Sequence, residues 1–511
     1  MENTQLNNPD SQHKSQGQDT QKTTEPVNIN PQFDDLKQPE ILVNHVLDLT
    51  QSKATPHEEI LSQLLEQFDM FDFEEIANPH NTEDFKLNNK HFTVLSIENV
   101  IQVATNNRWG LCKHHDFIYL FNGTYWDEIN KETFQKFLGE AAEQMGVPTF
   151  SARYFRFRKE LYEQFLGTAY LDPTPTLVNK VLINLKNGTF EVSIEGTHLR
   201  PFDRSDFLTY QLPFEYNPKA KAPLFEAYIN KVLPDKERQK VLAEYLGFVF
   251  IKHGSNQLKE EKALILYGTG ANGKSVFFEI VSALLGTENI SNYSLQSLTD
   301  STGYYRAKLA NKLVNYGSEI NGKLESSLFK QMVSGEPVEA RLPYGHPFVL
   351  KQYAKLIFNS NELPKDVEHT NAYFRRFLII PFDVTIPPQE QDKQLHTKII
   401  ESELSGVFNW VLDGLKRLLK QKGFTDCEAA KQAVEQYKSQ SDSVKMFIDE
   451  NNYGISPTDY TLIKELYFEY RSYCCEDGFR PVNKTNFIKR LGSYGFVIER
   501  RNVGNVAYLS K

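Results

Sequence analysis

One glycine-rich run carries chemistry that the rest of the chain must serve: Gly268-Thr269-Gly270-Ala271-Asn272-Gly273-Lys274-Ser275. It fits the pattern G-x-x-x-x-G-K-S, which has meaning only between a strand and a helix. The apolar run Ala263-Leu264-Ile265-Leu266-Tyr267 before it reads as a buried strand, and residues 276–285 after it read as a helix stopped by Gly286. Glycines let the backbone turn its N–H groups inward around phosphate oxygens, and the helix points its positive end at the same spot. Lys274 would meet the β- and γ-phosphates, and Ser275 would place its hydroxyl on Mg²⁺. Gly268 to Ser275 is therefore the expected seat of ATP with Mg²⁺.

Groups beyond the loop bear on what the triphosphate is for. Residues 312–316 read as a second strand, with Glu319 three residues on. A carboxylate there can serve the metal and the attacking water, or simply be a solvated strand-end acid. Residues 354–358 read as a third strand, running into Asn359-Ser360-Asn361. Either amide can bond the γ-phosphate or its water without adding charge, or only shape the turn. Arg375 and Arg376 precede a further apolar strand. The planar guanidinium suits a neighbouring subunit's γ-phosphate, although such a pair also occurs as a plain surface feature. Arg153-Tyr154-Phe155-Arg156-Phe157-Arg158-Lys159 interleaves cations with rings. That pattern can hold a single strand, or can be an amphipathic helix with its rings in the core. From Arg480 onward, Arg480, Lys484, Lys489, Arg490, Arg500, Arg501 and Lys511 face only Glu499, a local excess that suits phosphate contacts.

The chain has 511 residues, enough for about three domains, at 24% charged and 40% hydrophobic. No apolar run approaches a membrane span and no signal-peptide core is present, so a cytoplasmic protein without membrane contact is expected. The four cysteines include no C-x-x-C pair, which points to reduced thiols rather than a metal cage. A net charge of −9 argues against coating nucleic acid over the whole surface, while leaving a basic patch or channel open.

These elements divide the sequence into a polar, disordered tail (1–33), an acidic helical region (34–90) and an α+β domain (91–257). The P-loop domain (258–384), a helical segment (385–441) and a C-terminal domain (442–511) follow. The α+β part shows two Asn-Gly hairpins, at 117–126 and 181–190, a helix over 131–145, and two helices broken near Pro234. A helix over 58–68 should pack on the next domain, the alternative being a docking site for a partner. Alternating strands and helices from 258 on predict an α/β sheet.

The order of P-loop, Glu319 strand, Asn361 strand and Arg375-Arg376 resembles the superfamily 3 helicases within the AAA+ ATPases. Most similar are the helicase half of phage and plasmid primase–helicases and the related poxvirus NTPases. Residues 328–341 and Gly406-Val407-Phe408-Asn409-Trp410 are similar to segments of that group. The resemblance implies an α/β AAA+ core between an N-terminal α+β domain and a C-terminal winged-helix domain. It favours Asn361 over Asn359 as sensor, Arg376 over Arg375 as arginine finger, and Glu319 and Ser275 at the metal. It also implies a hairpin between Arg341 and Lys351, with tip Tyr344-Gly345-His346 and Lys351 on the return strand, gripping single-stranded DNA in a channel. Lys489, Arg490, Arg500 and Arg501 would meet DNA from the winged helix. Ser318 departs from the group, many of whose members have a second acid there, and the hairpin tip carries less positive charge than in many relatives. No primase half is expected before His91. The implied function is an ATP-dependent DNA helicase for replicating a phage, plasmid or other mobile element, acting on single-stranded and forked DNA as a homo-oligomeric ring, a hexamer. The alternative is an initiator that binds origin DNA and uses ATP only to assemble.

Overall fold

The computed structural model describes residues 55–511, apart from 71, 79, 81–84, 108–109, 115–116, 170–179, 194–195, 319, 321–324, 344 and 365–366. The expected tail, and two expected site residues, Glu319 and Tyr344, lie outside the described residues.

Helix α1 (His57–Leu65) starts with Glu58 and Glu59 at its positive end and buries Ile60, Leu61 and Leu64. Those side chains share a core with α2 (Asn89–Asn106), which Asn88 caps by accepting from the Lys90 and His91 amides. A three-stranded antiparallel meander follows: β1 (Leu111–His114), β2 (Phe117–Phe121) and β3 (Trp126–Ile129). The β2–β3 turn is tied by Asn122 Oδ1, which accepts from the Thr124 and Tyr125 amides at 3.0 and 2.9 Å. Helices α3 (Lys131–Gln144), α4 (Thr149–Arg153) and α5 (Phe155–Thr168) complete this core. A second meander, β4 (Lys180–Leu185), β5 (Gly188–Ser193) and β6 (Gly196–Arg200), has its two-residue turn at Lys186-Asn187. That is one position earlier than the Asn-Gly pair suggests, because Gly188 already pairs with Leu185.

Pro234 separates α6 (Pro223–Val232) from α7 (Lys236–Phe248), and Asp235 caps the second by accepting from the Glu237 amide. Next comes a five-stranded, all-parallel sheet: β7 (Ala263–Tyr267), β8 (Ile290–Ser291), β9 (Val314–Gly317), β12 (Lys355–Ser360) and β13 (Phe377–Pro381). Its order is β13-β7-β12-β9-β8. Alternate residues serve two cores: Leu264, Leu266 and Ile357 on one face, Ala263, Ile265 and Phe358 on the other. Both faces are covered, so these strands read as nearly continuous apolar runs. Helix α8 (Lys274–Leu285) follows β7 directly. Between β9 and β12 lie α9 (Ser326–Val333) and the antiparallel hairpin of β10 (Val338–Arg341) and β11 (Pro347–Leu350).

Helices α10 (Leu395–Ser402), α11 (Leu404–Gln421) and α12 (Glu428–Gln440) follow the sheet. α11 crosses α7 at backbone contact: a Cβ on Gly414 would lie 2.3 Å from the Ala243 carbonyl carbon, and one on Gly247 would lie 2.7 Å from Leu415 Cβ. In this crossing the fully buried Glu244 accepts from Arg417 Nε at 2.5 Å, Gln421 Nε2 at 3.0 Å and the Thr425 amide at 2.7 Å. The last module runs α13 (Ser443–Glu450), β14 (Gly454–Leu462), α14 (Ile463–Glu476), α15 (Lys484–Ser493), β15 (Ile498–Arg501) and β16 (Gly504–Ser510), with sheet order β14-β16-β15. Its core is aromatic, with Tyr470 stacked on Phe487 at 4.7 Å. The closing hairpin pairs β15 with β16 from Ile498, opposite Ala507. Among the described residues, no helix is long and apolar enough to cross a membrane. No cluster of His, Cys, Asp and Glu that could hold a metal appears among them either.

Candidate nucleotide and nucleic-acid sites

The glycine-rich loop joins the end of β7 to the start of α8 through left-handed backbone at Ala271 (φ 60°) and Gly273 (φ 89°). Gly273 is required twice over. Its φ suits glycine, and a Cβ there would stand 2.6 Å from Val232 Cγ1 of α6. Tyr228, one turn earlier on α6, donates its hydroxyl to the Gly273 carbonyl at 2.8 Å. Asn272 Nδ2 donates to the Phe382 carbonyl at 2.9 Å, which ties the loop to the end of β13. The Lys274 ammonium donates to the carbonyls of Gly268 and Thr269 at 2.6 and 3.3 Å and to Asn272 Oδ1 at 3.1 Å. Burial holds its pKa below the ordinary lysine value. The carbonyls therefore keep the charge at the mouth of the loop, where an anion's oxygens can replace them.

A cavity of about 520 Å³ opens over this loop, large enough for a nucleotide. Gly270 to Ser275 form one wall, while Ser318, Asn359 and Asn361 converge from the ends of β9 and β12. The sheet order explains this convergence, since β12 lies between β7 and β9 and their C-terminal ends open on the same side. Asn359 Oδ1 already accepts from the Tyr316 hydroxyl at 3.1 Å, whereas Asn361 stands exposed on the wall. Mg²⁺ needs few protein oxygens because it keeps water and phosphate ligands, and the Ser275 hydroxyl on the cavity wall fits that requirement.

The two arginines separate sharply. Both precede β13, whose first residue pairs with Ala263 at the start of β7. They thus lie a five-residue strand, about 16 Å, from this chain's own P-loop. Arg376 is buried: Nε and Nη2 donate to Ser334 Oγ at 3.2 and 2.8 Å, Nη1 donates to the Ala372 carbonyl, and Glu261 sits 3.3 Å away. Arg375 is 63% exposed, with one outward contact to Glu261 at 3.1 Å. The expectation favoured Arg376 over Arg375 as the reaching residue; here the Arg376 guanidinium is held inside its own fold and the Arg375 guanidinium lies at the surface.

In the hairpin, Gly345 and the exposed His346 lie in the turn as expected. β11 ends at Leu350, opposite Val338, so Lys351, expected on the return strand, directly follows it at the hairpin's foot. The cation near the tip is Arg341, which sequence reasoning passed over. It pairs with Pro347 and donates Nε to the Gly345 carbonyl at 3.0 Å. Phe348 packs edge-on against Phe117 of β2 at 6.0 Å, so the hairpin leans on the first meander. In the C-terminal module, Lys489 and Arg500 are exposed. Arg490 instead donates to the buried Asp442 at 2.8 Å, tying α15 to the start of α13. Arg501 lies over the Tyr460 and Tyr508 rings at 4.5 and 5.3 Å. Tyr228 and Val232 were also missed, because no local pattern links α6 to a loop 41 residues away.

Comparison with known proteins adds sequence relatives. Residues 103–234 match the family described as "D5 N terminal like". Residues 266–376, which hold the whole P-loop and both arginines, match a family described as of unknown function, DUF5906. The chain is similar to "Putative helicase L207/L206" of Acanthamoeba polyphaga mimivirus, at 26% identity over 221 residues. That stretch is 40% of this chain and 22% of the relative, so the chain spans under a quarter of the viral protein's length. Among solved structures, the apo A form of the NrS-1 C-terminal region covers 80% of this chain and 97% of its own, at 15% identity and TM-score 0.45. Another apo structure of the NrS-1 C-terminal region, residues 305–718, gives TM-score 0.43 at 15% identity, covering 82% of this chain and 98% of its own.

Proposed function

We propose that this chain is an ATP-hydrolysing DNA helicase of the superfamily 3, AAA+ type, working in replication of a viral, phage or plasmid element. The observation that carries the reading is the convergence of the Gly270–Ser275 cradle, Ser318 and Asn361 on one cavity at the C-terminal ends of adjacent parallel strands. Similarity to the mimivirus helicase supports it at the level of sequence. Lys274 exchanges its loop carbonyls for the β- and γ-phosphates, and the loop amides and first turn of α8 hold the phosphate oxygens. Ser275, with Glu319 the expected acid, would hold Mg²⁺, which would supply charge neutralisation at the phosphates. Asn361 orients the attacking water without adding charge. Arg375 reaches the γ-phosphate of a neighbouring copy, which makes a ring, in this reading a hexamer, the working unit. The β10–β11 hairpin, through Arg341, Tyr344 and His346, grips the threaded strand. The C-terminal module is read as a winged helix that meets duplex DNA through Lys489 and Arg500.

Strand displacement on a forked DNA with ATP tests the proposal. The wild-type chain should unwind the fork with DNA-stimulated hydrolysis, and Lys274→Ala should do neither. A Lys274→Ala protein that still unwinds refutes it. Slow turnover with tight duplex binding and no strand separation would instead support the origin-binding initiator.

A further inference from the structure

Residues 149–159 contain Phe150, Tyr154, Phe155 and Phe157 together with Arg153, Arg156, Arg158 and Lys159, and no acid, in a chain of net charge −9. An amphipathic helix would turn these rings to the core. Only Phe157 does so, at 2% exposure, held with Ala152 and Leu161 in the core of the first helices. The other three stand in water: Phe150 is 93% exposed, Phe155 66% and Tyr154 48%. The cause is the break between α4 and α5. Tyr154 adopts extended backbone (φ −70°, ψ 129°), ending one helix and starting the next, so the rings on either side leave the common buried face. Tyr154 and Phe155 meet edge-on at 5.0 Å.

The cations around this corner sort into two kinds. Arg153 is held by both oxygens of Glu143, at 3.0 and 2.9 Å, and Arg158 Nε donates to the Ala152 carbonyl at 3.3 Å. Arg156 lies over the Phe155 ring at 5.8 Å, and Lys159 is exposed, with Glu163 one turn on at 3.6 Å. Rings with open faces beside cations that are not locked into the fold fit one ligand class well. Unpaired bases stack on rings whatever their identity, and phosphates between them meet the charges. A duplex hides its base faces, and a protein-docking patch has no need of a cation at nearly every second position.

We propose that the α4–α5 corner is a stacking platform for single-stranded nucleic acid, with Phe150, Tyr154 and Phe155 under successive bases and Arg156 and Lys159 on the phosphates. The platform rests on the reading of the chain as a DNA motor, and is separate from the β10–β11 hairpin. It gives the strand a second hold on the N-terminal part of the same protein.

The test uses the full chain and a labelled oligo-dT of about 20 nucleotides, with binding followed by fluorescence anisotropy across a salt series. Phe150→Ala/Phe155→Ala should weaken binding about tenfold or more at fixed salt and leave the salt slope unchanged. Arg156→Gln/Lys159→Gln should lower the slope of log K against log salt by about 1.4, or 0.7 for each of two phosphates. Both variants change exposed side chains, so their melting temperatures and DNA-free ATP hydrolysis should match the wild type. Wild-type binding that both variants share in full overturns the platform and leaves the helicase reading standing. A wild-type chain that binds no oligo-dT at any salt overturns both.

Discussion

Replacing the two neighbouring arginines one at a time separates a structural role from a reaching one. Arg376→Ala removes a buried guanidinium with donors to Ser334 Oγ and the Ala372 carbonyl and an ion pair to Glu261. Glu261 keeps Arg375 at 3.1 Å, so its charge is not stranded, and the loss falls below the full cost of breaking a buried pair. Charge-assisted hydrogen bonds, two orphaned acceptors and lost packing together amount to about 2–4 kcal/mol of stability. Arg375→Ala removes one exposed contact, which is worth about 1 kcal/mol or less. If Arg375 acts on a neighbour's nucleotide, the same change costs about 10³-fold or more in turnover, some 4 kcal/mol of barrier. Urea midpoints and DNA-stimulated ATPase on both variants read the two quantities. Mixing Arg375→Ala with Lys274→Ala protein sharpens the test. The second partner supplies an intact arginine to a first-partner nucleotide site, so part of the lost hydrolysis should return. Wild-type turnover by Arg375→Ala, with a folded but inactive Arg376→Ala, would refute the assignment.

Glu244→Ala should cost about 2–3 kcal/mol, because the buried carboxylate's bonds to Gln421 and Thr425 are lost while the 31% exposed Arg417 stays partly solvated; a urea midpoint within error of wild type would contradict this. Gly273→Ala should abolish nucleotide binding in a calorimetric titration while the chain stays folded, since the left-handed φ and the 2.6 Å approach to Val232 both distort the cradle locally. Lys355 is buried beside His253 and over the Phe248 ring, and burial lowers its pKa to about 7 from 10.5. Between those values the unfolded chain binds a proton that the folded chain does not, so stability rises with pH through that window, by up to about 1.4 kcal/mol per unit. The penalty is fully present below pH 7. Lys355→Met should flatten the rise in urea midpoints measured from pH 7 to 9.

Much of the sheet and loop is legible along the chain because the signals are local. Doubly buried strands write continuous apolar runs, which is why β7, β9, β12 and β13 stand out. The glycines and Lys274 are dictated by backbone geometry within eight residues. Four strands escape this reading: β1 and β6 are short outer strands added to the two hairpins, β8 is two residues long, and β14 is largely exposed, so none leaves a clear period to detect. The seat of the loop against Tyr228 and Val232 joins segments about forty residues apart, and packing alone brought them together. Packing also decided which of two adjacent arginines is buried on Ser334 and which is exposed. The rings of 150–157 show the same division. Their types are written in the sequence, but a single extended residue between α4 and α5 sends three of them into water and one into the core. Residue types and short spacings therefore determined what chemistry this chain can hold. Which copies of those residues are free to use it was settled only when distant segments competed for the same buried space.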